Sequence, residues 1–267
     1  MHRPCAYCGE TAGLTREHVV PKFIYANNPL GKFGYNPRAD AFVTWEAQIR
    51  DVCARCNNER LSVLDSYLKT FYEDNHIDKL VTEEKTIRLR YDYHLLCRAL
   101  LKLTYNGIRF RGGDILLVKP FCDYILYGVD LPGHLAVKIS AEVIPCHRIT
   151  DHERTLLEGE AMTWSYIPPH VIRLGQMGGT AAEHLFVRYV FVKNYCFYVV
   201  IFQRSMQSQT LHKCFASFTD ALPDTVFLDV AKKAVTLRVS GIDALDKYSD
   251  TALSLAEKWA AYVGKKG

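Results

Sequence analysis

The chain has 267 residues, 49% of them apolar and 23% charged, with a formal net charge of +4. That length buries a full core without disulfide staples, and that composition excludes wholesale disorder. The longest apolar stretch, around Tyr195 to Phe202, is strand-sized, and Met1 to Cys5 contains no apolar leader segment. Neither a membrane span nor a secretory signal is therefore expected.

Nine cysteines, an odd number in a chain of this length, do not read as a secreted disulfide scaffold. Four of them form two Cys-x-x-Cys pairs, Cys5/Cys8 and Cys53/Cys56, while Cys97, Cys122, Cys146, Cys196 and Cys214 are scattered, mostly in apolar runs. This pattern predicts one metal site, buried structural thiols and a cytoplasmic address.

Along the chain, the first cysteine pair is followed by Leu14 to Lys22, in which Glu17-His18 precedes Val19-Val20-Pro21, and then by a loop-rich stretch from Asn27 to Arg38. A helix is predicted from the second cysteine pair to about His76, because Leu61, Leu64, Leu68, Phe71 and Tyr72 recur at helical spacing. The acidic, polar segment Glu73 to Lys85 predicts a domain junction, giving an N-terminal domain 1–78 and a second domain 79–267. Tyr93 to Ile108 reads as an amphipathic helix with Leu96, Ala99, Leu100 and Leu103 inward, and Phe121 to Tyr127 fits either regular element. His134 to Ile144 alternates as a strand, with Leu135, Val137, Ile139, Ala141 and Val143 on one face and Lys138 and Glu142 on the other. Leu185 to Val192 and Tyr195 to Phe202 predict a hairpin turning at Lys193-Asn194, and a helix is predicted from about Ile242 to the C-terminus. Strands and helices that do not alternate regularly make the fold class α+β, with antiparallel strands in the second domain.

The cysteine spacing carries the first chemistry. Two residues between thiolates let both sulfurs reach one ion from a tight turn, and two such turns complete a tetrahedral structural site for Zn2+ at Cys5, Cys8, Cys53 and Cys56. Gly9, directly after Cys8, suits a knuckle that needs positive φ. Between and just after the pairs stand Glu17-His18-Val19-Val20-Pro21 and Asn57-Asn58.

Over residues 5 to 66 these linked elements resemble the HNH endonucleases, a family of ββα-metal fold. The resemblance implies metal-dependent hydrolysis of DNA phosphodiester bonds, leaving a 5′-phosphate and a 3′-hydroxyl. It makes His18 the general base and Glu17 and Asn57 the hard oxygen ligands of a catalytic Mg2+ or Mn2+, with Asn58 a competing ligand one residue on. Gln48 falls where the family carries the asparagine that orients the histidine. Glu17 stands where the family usually has aspartate, one methylene shorter. Defence against phage, in bacteria, is the role the resemblance suggests.

The charge pattern adds a second surface. Lys85 to Arg111 contains seven basic residues against the single acid Asp92, and Arg98, Lys102, Tyr105 and Arg109 step by three and four. This stripe, with Arg16 and Lys22, is the expected phosphate-contacting set, although a helix face exposed only to water has the same pattern. The run Gly175 to Thr180 reads as a loop, and Cys146-His147 with His212 and Cys214 lacks zinc spacing. The second domain would select the target, hold a protein partner or a second copy of the chain, or regulate cutting. The alternative of a different class is a non-catalytic zinc-finger protein that binds nucleic acid or acts as an adaptor.

Overall fold

The structure is a computed structural model, described for residues 3–11, 13–26, 33–36, 41–44, 47–152, 166–167, 173–177 and 184–242. The predicted C-terminal helix lies outside those residues. Among the described residues, no helix is long and apolar enough to cross a membrane.

The N-terminal segment begins with β1 (Leu14–His18) and a single-turn helix α1 (Lys22–Ala26), followed by β2 (Phe33–Asn36), β3 (Ala41–Thr44) and β4 (Gln48–Cys53). β2 lies inside the stretch expected to be a loop and pairs antiparallel with β3, which follows that stretch. Pairing of main-chain groups needs no apolar alternation, so that pair leaves little trace in composition. β1 pairs antiparallel with β4 in a register that sets Leu14 opposite Cys53 and His18 opposite Gln48, and it is interrupted by a bulge between Thr15 and Glu17. A bulge re-aims the side chains beyond it: after exposed Arg16, Glu17 is buried and His18 is half-buried. A π-helical turn, Cys56–Leu61, leads into α2 (Ser62–Asp74), whose Leu64, Leu68, Phe71 and Tyr72 are buried as the helical spacing requires. Asn75 ends it, donating from its amide to the carbonyls of Phe71 and Arg90 and accepting from the Arg90 amide. These bonds tie α2 to β5 (Thr86–Arg90).

Asp92 caps α3 (Tyr93–Arg111) by accepting from the Leu95 amide at 3.1 Å, and Gly112, at φ 77°, ends it. Every residue from Leu96 to Ile108 except Arg98 is buried on this helix. An amphipathic surface helix would bury one stripe; α3 instead runs through the middle of the molecule. The ambiguous segment Phe121 to Tyr127 is helical: two short 3-10 turns precede α4 (Cys122–Tyr127), which stops at Gly128 in the left-handed region.

The remaining strands are β6 (Leu135–Val143), β7 (His147–Arg148), β8 (Tyr166–Ile167), β9 (Arg173–Gln176), β10 (Phe186–Val192) and β11 (Tyr195–Gln203). They are followed by α5 (Ser208–Ala221), β12 (Val226–Phe227) and β13 (Ala234–Arg238). Gly175 and Gln176, read as loop, finish β9. The main sheet has the order β12-β6-β11-β10-β9 with every neighbour antiparallel. The hairpin β10–β11 turns at Lys193-Asn194, with Lys193 at φ 54°. β13 pairs with β5.

One sheet face, including Val137, Ile139 and Phe197, joins the cluster of α2 and α3, and the other, including Val187, Tyr198 and Val200, packs on Phe218 and Leu222 at the end of α5. The layers are therefore helices, sheet and helix, an α+β fold with antiparallel sheets. Covering both faces changes the reading of β6. Lys138 lies over the rings of Phe215 and Phe227, and Glu142, expected on a polar face, is fully buried and accepts from the Tyr198 hydroxyl. A single cluster of buried side chains runs from Cys5 through Leu64, Leu100 and Ile139 to Leu237, so the segments before and after residue 78 share one core.

Candidate metal centre and catalytic cleft

The first cysteine pair sits on a turn closed by two main-chain bonds: the Cys5 amide donates to the Glu10 carbonyl at 2.8 Å and the Gly9 amide to the Cys5 carbonyl at 2.9 Å. Gly9 has φ 78°, and a Cβ there would meet nothing within 4 Å. Backbone conformation, not space, selects glycine at that point. Cys53 ends β4 and Cys56 opens the π-helical turn. The two turns are brought together because the Ala6 amide donates to the Asp51 carbonyl at 2.8 Å.

The four sulfurs all lie within 4.8 Å of one another, with Cys8 and Cys53 at 3.7 Å. Tetrahedral coordination with a metal–sulfur length of about 2.3 Å needs sulfurs about 3.8 Å apart, so the donor set fits one ion. Main-chain amides converge on the sulfurs as well: Cys53 donates to Cys5 Sγ at 3.3 Å and Cys56 to Cys53 Sγ at 3.5 Å. Burial pushes the Cys5 thiol up, but hydrogen bonds at Cys8, Cys53 and Tyr7 outweigh it and bring it down to about 7. Such a thiol is readily available as thiolate. Cys8 and Cys56 are pushed up, chiefly by burial. The group can hold a structural metal ion; among the described residues, no second group of three such side chains converges in this way, and Cys146 instead lies against Asn194.

Beside this centre, an open cleft of about 490 Å3 is lined by Arg16, Glu17, His18, Lys22, Asn57 and Asn58, together with Asp65 and Lys69 of α2. The β1–β4 register brings the Gln48 amide to 3.0 Å from His18 Nε2. Asn57, next to Cys56, donates from Nδ2 to Thr15 Oγ1 and to the Arg16 carbonyl, both at 3.0 Å. With its nitrogen fastened to β1, the amide presents its oxygen as the remaining donor atom for a cation. The sequence reading missed Asp65 and Lys69. Continuing the helical phase from Asn57 and Asn58 through Ser62 would have found them.

Glu17 lines the cleft from a buried position. It is 3% exposed, and its Oε1 accepts from Lys102 Nζ at 2.8 Å and from Asn106 Nδ2 at 3.2 Å. Both contacts use one oxygen, so Oε2 is the atom left for a metal ion. A hard cation held by one carboxylate, one amide oxygen, waters and phosphate oxygens is within the chemistry of Mg2+.

The basic stripe of α3 is not a phosphate-tracking surface at Lys102 or Arg109. Lys102 is 1% exposed and also bonds Asp65 at 2.6 Å. Arg109 bonds Asp51 and Asn106, with its guanidinium 5.0 Å from the Tyr7 ring centre and 4.5 Å from that of Tyr105. Arg98 donates to the carbonyls of Ile125 and Leu126 in the last turn of α4, each at 3.1 Å. The carboxylates that neutralise Lys102 and Arg109 come from β1, β4 and α2, far away in sequence, which is why the run looked unbalanced. Arg16 and Lys22 are exposed at the cleft.

Comparison with protein-family models, curated proteins and solved structures gives no significant match to this chain. Its functional reading therefore rests on its own residues.

Proposed function

We propose that the chain is a metal-dependent endonuclease of the HNH type acting on DNA. The observation that carries this reading is the meeting of Glu17, His18 and Asn57 in one cleft, with Gln48 against the His18 ring and the four-cysteine group next to Asn57. A closed set of four thiolates suits a structural Zn2+, which would lock Cys53 and Cys56 and so fix the start of the helix that bears Asn57. Nine free cysteines fit a reducing, cytoplasmic setting.

Histidine is the side chain most often used as a general base. The Gln48 amide, 3.0 Å from His18 Nε2, would fix the orientation of the imidazole that takes a proton from water. The water oxygen bonds to phosphorus in line with the departing O3′, the P–O3′ bond breaks, and solvent protonates the leaving oxygen. Glu17 Oε2 and the Asn57 amide oxygen would hold Mg2+ or Mn2+, which when bound offsets charge on the phosphate and the leaving oxygen. Arg16 and Lys22, which line the cleft, would meet flanking phosphates.

One observation favours a second reading, a zinc-finger protein that binds nucleic acid without turnover: Lys102 already neutralises Glu17. Incubation with supercoiled plasmid, with and without Mg2+ or Mn2+, tests the choice. Metal-dependent nicking or linearisation that is lost in His18→Ala supports the nuclease. Retained plasmid binding with no cleavage in any metal overturns it.

A further inference from the structure

Asn106 belongs to no motif and lies on α3, well outside the cysteine unit in sequence, yet it is fully buried against Glu17 and His18. An asparagine side chain has two amide protons and two carbonyl lone pairs, and all four are used. Nδ2 donates to Glu17 Oε1 and to the His18 carbonyl, both at 3.2 Å. Oδ1 accepts from the Tyr7 hydroxyl at 2.7 Å and from Arg109 Nη2 at 2.5 Å. Tyr7 lies inside the Cys5–Cys8 turn, so one side chain joins the metal knuckle to the Glu17-His18 dipeptide.

This arrangement matters because Glu17 has one more rotatable bond than an aspartate would have. A carboxylate that holds a metal must be oriented, and groups hydrogen-bonded to ligands fix that orientation. Lys102, four residues before Asn106 and therefore on the same side of α3, grips the same oxygen of Glu17 at 2.8 Å. Two donors from one buried helix on Oε1 select a single rotamer and leave Oε2 for the ion.

The geometry points to Asn106 as a positioning residue: assisted by Lys102, it orients Glu17 as a metal ligand and ties the His18 main chain to the cysteine knuckle. The inference rests on the reading of Glu17 as a ligand of the divalent ion. It adds a component supplied by α3, and it links occupancy of the four-cysteine site to the shape of the cleft through Tyr7.

Mn2+ titration calorimetry on the full-length, zinc-loaded protein tests it, with zinc content and melting temperature measured in parallel. Asn106→Ser should weaken Mn2+ binding by about ten-fold, the lower end of the effect of losing a group that orients a metal ligand. In a Glu17→Ala background the same change should have no further effect, because Asn106 acts through that carboxylate. A purely structural role would lower the melting temperature and leave Mn2+ affinity within about two-fold of wild type, below that range; that result overturns the proposal, as does a wild-type protein that binds no Mn2+. If Asn106→Ser loses its zinc and fails to fold, Tyr7→Phe removes one anchor of Asn106 while keeping the ring. Weakened Mn2+ binding there supports the proposal and unchanged binding overturns it. A protein that cleaves no plasmid but shows the Glu17-dependent loss of Mn2+ affinity would sink the nuclease reading alone.

Discussion

Replacing Lys102 by methionine keeps the length of the side chain and removes the charge that two carboxylates share. The ammonium is 2.8 Å from Glu17 and 2.6 Å from Asp65, with side-chain exposures of 1% for Lys102, 4% for Glu17 and 35% for Asp65. Removing one partner of a buried pair costs roughly 3–5 kcal/mol, because the other charge stays out of water without compensation. Asp65 is a third exposed and can be hydrated, so the loss comes mainly from Glu17, which keeps only the Asn106 amide. The low end, about 3 kcal/mol, is therefore expected. At about 2–4 °C per kcal/mol for a protein of this size, melting should fall by roughly 6–12 °C. Urea unfolding of zinc-loaded protein at pH 7 measures the free-energy loss and thermal unfolding the melting temperature, both followed by circular dichroism. Adding Glu17→Gln should recover part of the loss, since a neutral amide needs no counter-charge. A Lys102→Met protein within about 1 kcal/mol of wild type, the range of an ordinary surface change, would refute the buried-pair account. So would losses from the two substitutions that simply add.

Freshly purified protein should carry about one equivalent of zinc by elemental analysis, and Cys53→Ser should lose the metal and lower the melting temperature of the whole chain. Thiolate ligands compete with protons, so zinc should be released as pH falls, which a colorimetric chelator reads. His18→Ala should abolish plasmid cleavage while zinc content, melting temperature and DNA affinity stay near wild type, since a general base acts in the transition state. Arg16→Glu with Lys22→Glu should weaken DNA binding and reduce the slope of log K against log salt by about 0.9 for each phosphate no longer neutralised, measured by fluorescence anisotropy. A fragment ending at residue 78 should bind zinc without melting cooperatively, because it lacks the α3 residues Lys102, Tyr105 and Asn106 that pack on Glu17 and Tyr7; a sharp melting transition would show otherwise.

Local signals carried far in this chain. Cys-x-x-Cys spacing located the metal group, helical periodicity located α2 and the start of α3, and strict alternation with a two-residue turn located β6 and the β10–β11 hairpin. Each of these depends on residues a few positions apart. The misread features depend on partners far away. Lys102 and Arg109 looked like a solvent-facing charge stripe, since Glu17, Asp65 and Asp51 are not near them in sequence. Glu142 looked outward because nothing in its own strand announces that α5 covers that face or that Tyr198 satisfies its carboxylate. Asn106 carried no signal at all: a lone asparagine in an apolar helix is recognisable as a junction only when all four of its partners are known.

The same distinction explains why the candidate cleft is split between legible and illegible parts. Atoms that face a cation or a phosphate must be presented from one rigid edge, and the β1–β4 pair with the helix after Cys56 supplies that edge within a compact sequence pattern. Atoms that hold those groups from behind have no such restriction and can come from any element that packs there. Here they come from α3, where Lys102 and Asn106 lie one helical turn apart and both reach Glu17 Oε1. A segment as short as the one that carries the four cysteines has only a small core of its own. Burying Glu17 requires a neighbouring helix that brings both a counter-charge and an amide, and once it is present the shared core across residue 78 follows from the same packing.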